Sequence, residues 1–507
     1  MKTSTLVFDL HKAALQTRTG TGIVTLLAIM SLAVSSTIAF LVAGGTWMFY
    51  SREQRPEDFP ILQESMGGGS VEDMMRTWVI LALFACAFLV PTIFSLTSQA
   101  AVLGASGREK RLATLRLLGL SSGDITRMTM LETAVQAIIG IVLGGFISVL
   151  LAPIFSNLSF QHVQISTSEI LLPWWGYLAV AAVVFFLAIG ASVAGMQRVR
   201  VEPLGVSRKE MPPALKYRGV IIFVIFTVFT LVLVNQTNLN SSISAIGFTA
   251  LVISINIMLI NWFVPFILQI LYRMLSIVPG TSHFVASQRI AADAKTTWRR
   301  SASMAFFGVI AGFLVISPLG NDGLTSLMSE DPGALMMFTD ITTGGLLTLG
   351  FGFVLSSMAI FLGLSSQLFE QAGLTRSLHL MGVKRSFYFR TQLFETLGPI
   401  IIVSLIGFAF GAMVGMVMLS SAMAEVNLVA RLSMAGAFLG VGWLFTLAAI
   451  SAVEPLRKRT LTIGRNNDYE DSSIPLRCHH RRCSCRRVLP RTHHGRDVYG
   501  QGHLLRP

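Results

Sequence analysis

Charge is what this sequence has least of. Asp, Glu, Lys and Arg make up 13% of its 507 residues, against the roughly 25% usual in soluble domains. Hydrophobic residues make up 53%, a balance that excludes an ordinary soluble protein and implies a polytopic membrane protein. Cysteine is also scarce. Cys86 lies in an apolar run and Cys478, Cys483 and Cys485 lie near the C-terminus, so no disulfide framework is implied. The Gly-x-x-x-x-Gly-Lys-Ser/Thr phosphate loop is missing, since no lysine in the chain follows a glycine. Any nucleotide hydrolysis therefore belongs to another polypeptide. Ionisable side chains are missing from the middle of the apolar runs as well, which disfavours a carrier driven by protons or sodium.

What is present is apolar sequence in bilayer-length pieces. Ten runs are long enough to cross about 30 Å of hydrocarbon: 22–49, 76–100, 131–155, 174–196, 219–236, 243–272, 301–318, 343–367, 396–420 and 432–452. The first is too long for the core of a cleaved signal peptide and reads as a retained helix. Lysine and arginine gather in alternate loops, for example Arg108, Lys110, Arg111, Arg116 and Arg127 in one, and Arg376, Lys384, Arg385 and Arg390 in another. The intervening loops differ: 156–173 has no Lys or Arg, and 319–341 has acids only. By the positive-inside rule both termini are expected in the cytoplasm. Trp174, Trp175 and Tyr177 fit an aromatic belt at the outer surface. The formal charge of +13 then reads as cytoplasmic loops beside anionic lipid, with no nucleic-acid partner.

The chain repeats itself. "LRLLGLSSGDITRMTMLETA" from Leu115 aligns without gaps on "LHLMGVKRSFYFRTQLFETL" from Leu378. Gly119 falls on Gly382, Arg127 on Arg390, Glu132 on Glu395 and Gly144 on Gly407. A second echo, "VEPL", contains Pro203 in one copy and Pro455 in the other. Two ordered motifs around the same two spans indicate duplication. The expected plan is all-α, 4+2+4: a first four-helix block over 1–205, a linking pair of helices over 206–283, a second block over 284–460, and a basic, disordered tail over 461–507. Each block opens with a basic lead-in, "FDLHKAALQTRTG" or "FVASQRIAADAKTTWRR", that suits either a helix along the inner membrane surface or an ordinary positive flank.

Within the repeated loop, Arg108–Leu118 reads as a short helix stopped near Gly119, a C-cap candidate. Ser121 and Asp124 stand at capping-box spacing, so a second helix is expected to start there and enter the third span. The result is a helical hairpin with its tip near Gly119–Gly123, a shape suited to docking a soluble partner. The second copy has Lys384 and Phe387 in place of Ser121 and Asp124, which predicts a less defined hairpin. Small residues recur at four-residue intervals in the third span of each block, at Gly140 and Gly144 and at Gly407, Gly411 and Gly415. They predict close helix packing, within or between the halves.

These features resemble the FtsX-like permeases, the membrane subunits of MacB-type and related ABC transporters. The resemblance rests on "GREKRLATLRLLGLSSGDITRMTMLE", "RSLHLMGVKRSFYFRTQLFE" and the two "VEPL" segments. It implies a bacterial cytoplasmic-membrane location and a cytosolic ATPase dimer as partner, with ATP and Mg bound there and no cofactor on this chain. The repeated loop would be the coupling element, with contacts around Arg108, Arg116, Gly119, Leu120 and Arg127, and around His379, Gly382 and Arg390. Family members commonly carry a large domain after the first span of a block. The short 51–75 and 319–341 loops here imply no docking platform for an outer-membrane channel. Two functions fit: export of an amphipathic lipid, lipoprotein or peptide, or transmission of ATP-driven motion to an extracytoplasmic enzyme or sensor kinase. The short outer loops favour export.

The segment after about Asn466 has a different composition. From Ser473 it holds eight Arg, five His and three Cys but no Lys. Cys478, His479, His480, Cys483 and Cys485 can bind zinc by residue type, yet their spacing matches no metal module. A disordered tail is the expectation.

Overall fold

A computed structural model describes residues 21–58, 71–106, 122–200, 217–236, 243–316, 332–418 and 428–471. The described chain is helical apart from one two-stranded hairpin. Packing divides the protein into one compact unit up to Leu461 and a second from Thr462.

Ten of the thirteen described helices coincide with the ten apolar runs. The first half contains α1 (Thr21–Glu53), α2 (Val71–Ser106), α3 (Ser122–Leu151), the four-residue α4 (Thr167–Ile170) and α5 (Trp174–Arg200). Two helices follow, α6 (Arg218–Gln236) and α7 (Ile243–Leu275). The second half contains α8 (Thr281–Ala292), α9 (Ala294–Phe313), α10 (Pro332–Glu370), α11 (Ala372–Leu380), α12 (Arg385–Met418) and α13 (Leu428–Asp471).

Among the described residues, 7 helices are long and apolar enough to cross a membrane: Val24–Glu53, Met75–Ala100, Arg127–Asn157, Trp174–Val193, Leu335–Phe369, Arg385–Met413 and Val429–Lys458. The expected ten thus become seven by that measure. Arg218–Phe229 and Leu259–Leu275 are shorter apolar segments. Helix α9 carries Lys295, Arg299 and Arg300 in its first two turns and passes into a 3-10 turn at Leu314–Ile316, so its apolar part is short. The last span also differs from the sequence reading. Helix α13 continues through Pro455 to Asp471, past the end drawn at 452.

The lead-in to the second half is a helix of its own. α8 ends at Asp293, whose side chain accepts the Thr296 N–H at 3.2 Å and starts α9. That acid serves as N-cap to an orphan backbone donor. α8 buries Ala286 and Ile290 against α7 and α12. The corresponding lead-in of the first half lies outside the described residues.

The two aligned segments lie in helices that pack in similar ways. α3 and α12 begin at equivalent positions of the two copies, so Glu132 and Glu395, and likewise Gly144 and Gly407, occupy the same place along their helices. In each half this helix packs closely on the half's first long helix, α3 on α1 and α12 on α9. The glycines allow the approach. A methyl group at Gly140 would press on Leu32 and Ala33, and one at Gly144 on Ser36 and the Ala33 backbone. At Gly407 and Gly411 it would meet the Ala305 and Val309 carbonyls, while Gly308 and Gly312 on α9 clear the Ser404 and Phe408 carbonyls. Ser36 and Thr37 add hydroxyl bonds to the Gly140 and Gly144 carbonyls at 3.1 and 3.2 Å. In lipid such packing substitutes for a hydrophobic drive between helices. The glycine stripes therefore act within the halves.

Between the halves, α2 meets α10. Leu89, Ile93 and Leu96 of α2 share an apolar cluster with Leu355, Ala359 and Leu362 of α10, joined by Val24 and Ala28 of α1. The linking helices α6 and α7 stack Phe223 on Phe263 at 4.4 Å. α7 in turn fastens to the second half, where Trp298 Nε1 donates to Asn261 Oδ1 at 2.9 Å.

Candidate coupling hairpin and membrane cavity

The first copy of the repeated loop, with Arg108, Arg116, Gly119 and Leu120, lies outside the described residues, as does Pro203. The second copy is described, and its turn is well specified. Gly382 has φ +94°, a left-handed conformation that suits glycine. Its N–H bonds the His379 carbonyl at 3.0 Å, and the Val383 N–H bonds the Leu378 carbonyl at 3.2 Å. This pair of bonds is a Schellman closure, which satisfies carbonyls left over at the end of α11. His379 Nδ1 lies 3.3 Å from the Val383 carbonyl and braces the same turn. The missing capping box therefore does not leave this hairpin undefined: it is closed from the C-terminal end of α11.

Around the turn the surface is apolar and basic together. Leu380 and Met381 are 80% and 72% exposed, next to the exposed Lys384, Arg385 and Arg390. Arg127 is exposed at the matching position of α3. At the base of the hairpin the groups are paired. Glu395 meets Arg289 of α8 at 3.2 Å. Arg457 is buried, binds Glu454 at 2.9 Å and donates to Gln392 of α12. The second "VEPL" is thus a helical segment around Pro455 whose neighbours tie α13 to the foot of α12. Glu132, the repeat partner of Glu395, is half-buried in α3.

At the other end of the bundle the structure assembles a polar cluster that the sequence reading did not pick out. Between α3 and α5 the chain forms a hairpin with β1 (Ser159–Phe160) antiparallel to β2 (Val163–Gln164), pairing Ser159 with Gln164 and Phe160 with Val163. Both turn residues, Gln161 and His162, have φ 59°, the left-handed pair of a type I′ turn that normally favours Asn and Gly. Two outside groups hold it. Arg52 at the end of α1 is 2% exposed. It donates to the Phe160 carbonyl at 3.1 Å and to Gln161 Oε1 at 3.4 Å, and pairs with Glu169 at 2.8 Å. Asp340 of α10, in the other half, accepts the Gln161 N–H at 2.9 Å. The sequence did carry a signal, an arginine ending one long apolar run and an aspartate opening another.

Beneath this cluster lies a cavity of about 270 Å³. Both halves line it: Met48 and Phe49 of α1, Trp78 of α2, Ile310 of α9, and Asp340 and Phe351 of α10. Its wall is apolar except for two threonines, the Trp78 indole and one carboxylate. Openings of this kind, largely apolar with a few convergent polar groups, suit small-molecule ligands. Near it, Trp47 packs edge-on against Trp175 at 5.2 Å, while Tyr177 tilts against Phe40 at 5.4 Å. Trp174 and Trp175 are exposed, as an interfacial belt requires, whereas Tyr177 turns partly inward.

Among the described residues no cluster of His, Cys, Asp or Glu could hold a metal ion. The Cys/His-rich segment from Cys478 lies outside them. Residues 81–203 match the FtsX-like permease C-terminal family. That stretch runs from within α2 through α3 and α5, and with the apolar helices it supports a membrane-embedded permease component of an ABC-type transporter. No curated protein matches the chain.

Proposed function

We propose that this chain is the permease subunit of an ATP-driven ABC transporter in the bacterial cytoplasmic membrane, and that it exports an amphipathic lipid, lipoprotein or peptide. In this reading it carries two FtsX-like halves on one polypeptide and draws on a cytosolic ATPase dimer, with ATP and Mg bound by that partner. The observation that carries the reading is the family match over 81–203, which includes the first copy of the repeated loop. Its second copy, α11 and the Gly382 turn, is presented as an exposed hairpin.

The packing supplies a route for force. Movement of the partner against Leu380 and Met381 would push on α12, whose foot is tied to α8 by Glu395 and to α13 by Gln392. α12 is seated on α9 through interlocking glycines, a contact too close to slide without separating the helices. α9 places Ile310 in the cavity wall. A displacement at the hairpin is therefore expected to reach the cavity as a rigid-body shift of α9 and α12 together.

Single cysteines at Leu380 and Trp174, in a background lacking the native cysteines, test the arrangement. Position 380 is expected to crosslink to a cytosolic ATPase and to resist an impermeant thiol reagent added outside intact cells, while position 174 is labelled. Labelling of position 380 from outside would overturn the reading.

A further inference from the structure

Among the described residues lining the cavity, Asp340 is the one that carries charge, and it is 5% exposed. Arg52 makes its close ion pair with Glu169 and also acts on the Asp340 carboxylate, which accepts the Gln161 N–H. The exposed or half-buried Glu53, Arg55 and His162 stand nearby in sequence and do not line the cavity. A second feature points the same way. Trp78 is 3% exposed and lines the same wall. Its indole N–H faces and stabilises the Asp340 carboxylate, although Nε1 meets no acceptor at ordinary hydrogen-bond geometry among the described residues. A buried polar group in that state calls for an explanation.

We infer that this cavity takes an amphiphile with an alkyl or acyl chain and a single cationic ammonium head, the chain against Met48, Phe49 and Phe351 and the ammonium at Asp340. The inference rests on the permease reading and names the substrate class. An ammonium bonded to a carboxylate in a dry site gains a charge-assisted hydrogen bond, and an aromatic ring beside it adds cation–π attraction. An anionic head would instead meet Asp340 with like charge, with no cation among the described residues of the wall. An uncharged head would bind through its chain alone.

The test uses the full chain with its ATPase in lipid nanodiscs, and three probes of equal chain length bearing a terminal bromine: dodecylamine, dodecanol and dodecanoate. Bromine quenches indole fluorescence at contact, and Trp78→Phe identifies the Trp78 share among the 7 tryptophans. The amine is expected to bind about tenfold more tightly than the acid, with the alcohol between, and Asp340→Asn is expected to bring the three together. Equal affinities in the unaltered protein would overturn the inference, whether or not Asp340→Asn folds, and so would an amine preference that survives Asp340→Asn. Absence of Trp78 quenching by all three, with ATPase coupling intact, would reject the cavity and leave the permease reading standing. Failure to associate with any ATPase would reject the permease reading itself.

Discussion

The Gln161 backbone N–H donates to Asp340 Oδ2 at 2.9 Å, and through that bond a turn belonging to the first half is held by a helix belonging to the second. Arg52 holds the same turn from the other side, spending its guanidinium on Phe160, Gln161 and Glu169. Two left-handed non-glycine residues are costly on their own, roughly 1–2 kcal/mol each. They persist because the surroundings fix them.

Arg52→Met is expected to be strongly destabilising. It would leave Glu169 and Asp340 without their cation, and breaking a buried pair costs about 3–5 kcal/mol. Glu169 is 29% exposed on its side chain, which places the expectation at the lower end. Arg52→Lys should rescue little, because a single ammonium cannot reach the carbonyls and the carboxylate together. Thermal unfolding in nanodiscs would check both; an unchanged midpoint for Arg52→Met would contradict the arrangement.

Gly144→Leu and Gly407→Leu are expected to fail alike. Each would force apart the first and third long helices of its own half, with overpacking costs of about 1–3 kcal/mol or more. Cysteine pairs at Ala33 with Gly144 and at Ala305 with Gly407 should crosslink within each half. If Gly407→Leu were neutral while Gly144→Leu was damaging, the equivalence of the two halves would be lost.

Gly382→Val is expected to uncouple ATP hydrolysis from transport while leaving membrane insertion intact. A β-branched residue at φ +94° is strained by roughly 1–2 kcal/mol, enough to open the Schellman closure without unfolding α12. Gly382→Asn should be milder, since Asn tolerates left-handed backbone. Arg116→Glu in the first copy should weaken association with the ATPase. Coupled ATPase assays of the reconstituted complex would read each effect.

The helical character of the apolar runs was legible because apolar run length is a local property, although 7 described helices are long and apolar enough to cross a membrane against the ten expected. Ten runs fell on ten helices, and the Gly119–Gly382 alignment anticipated a helix stop that Gly382 makes. Other features depended on three-dimensional context. The extent of α13 was missed because the apolar run stops at 452, ahead of Glu454 and Arg457, whereas the helix continues through Pro455, which a membrane helix can absorb. The definition of the second hairpin was underestimated because only its N-terminal capping chemistry was considered. Asp293 as a cap separating α8 from α9 required knowing where the chain turns. The cluster of Arg52, Gln161, Glu169 and Asp340 includes a hydrogen bond between residues 179 positions apart in sequence, and no periodicity carries such a relation.

The most direct measurement of the central claim is the native mass of the complex released from membranes. A chain with both halves on one polypeptide should bind two ATPase subunits per single copy, one beneath each hairpin, and lose ATPase-stimulated transport when either hairpin is altered. A mass corresponding to one copy with two ATPase subunits is the predicted result. A stable, fully active assembly of two copies with two ATPase subunits, or ATP hydrolysis by the chain alone, would contradict it.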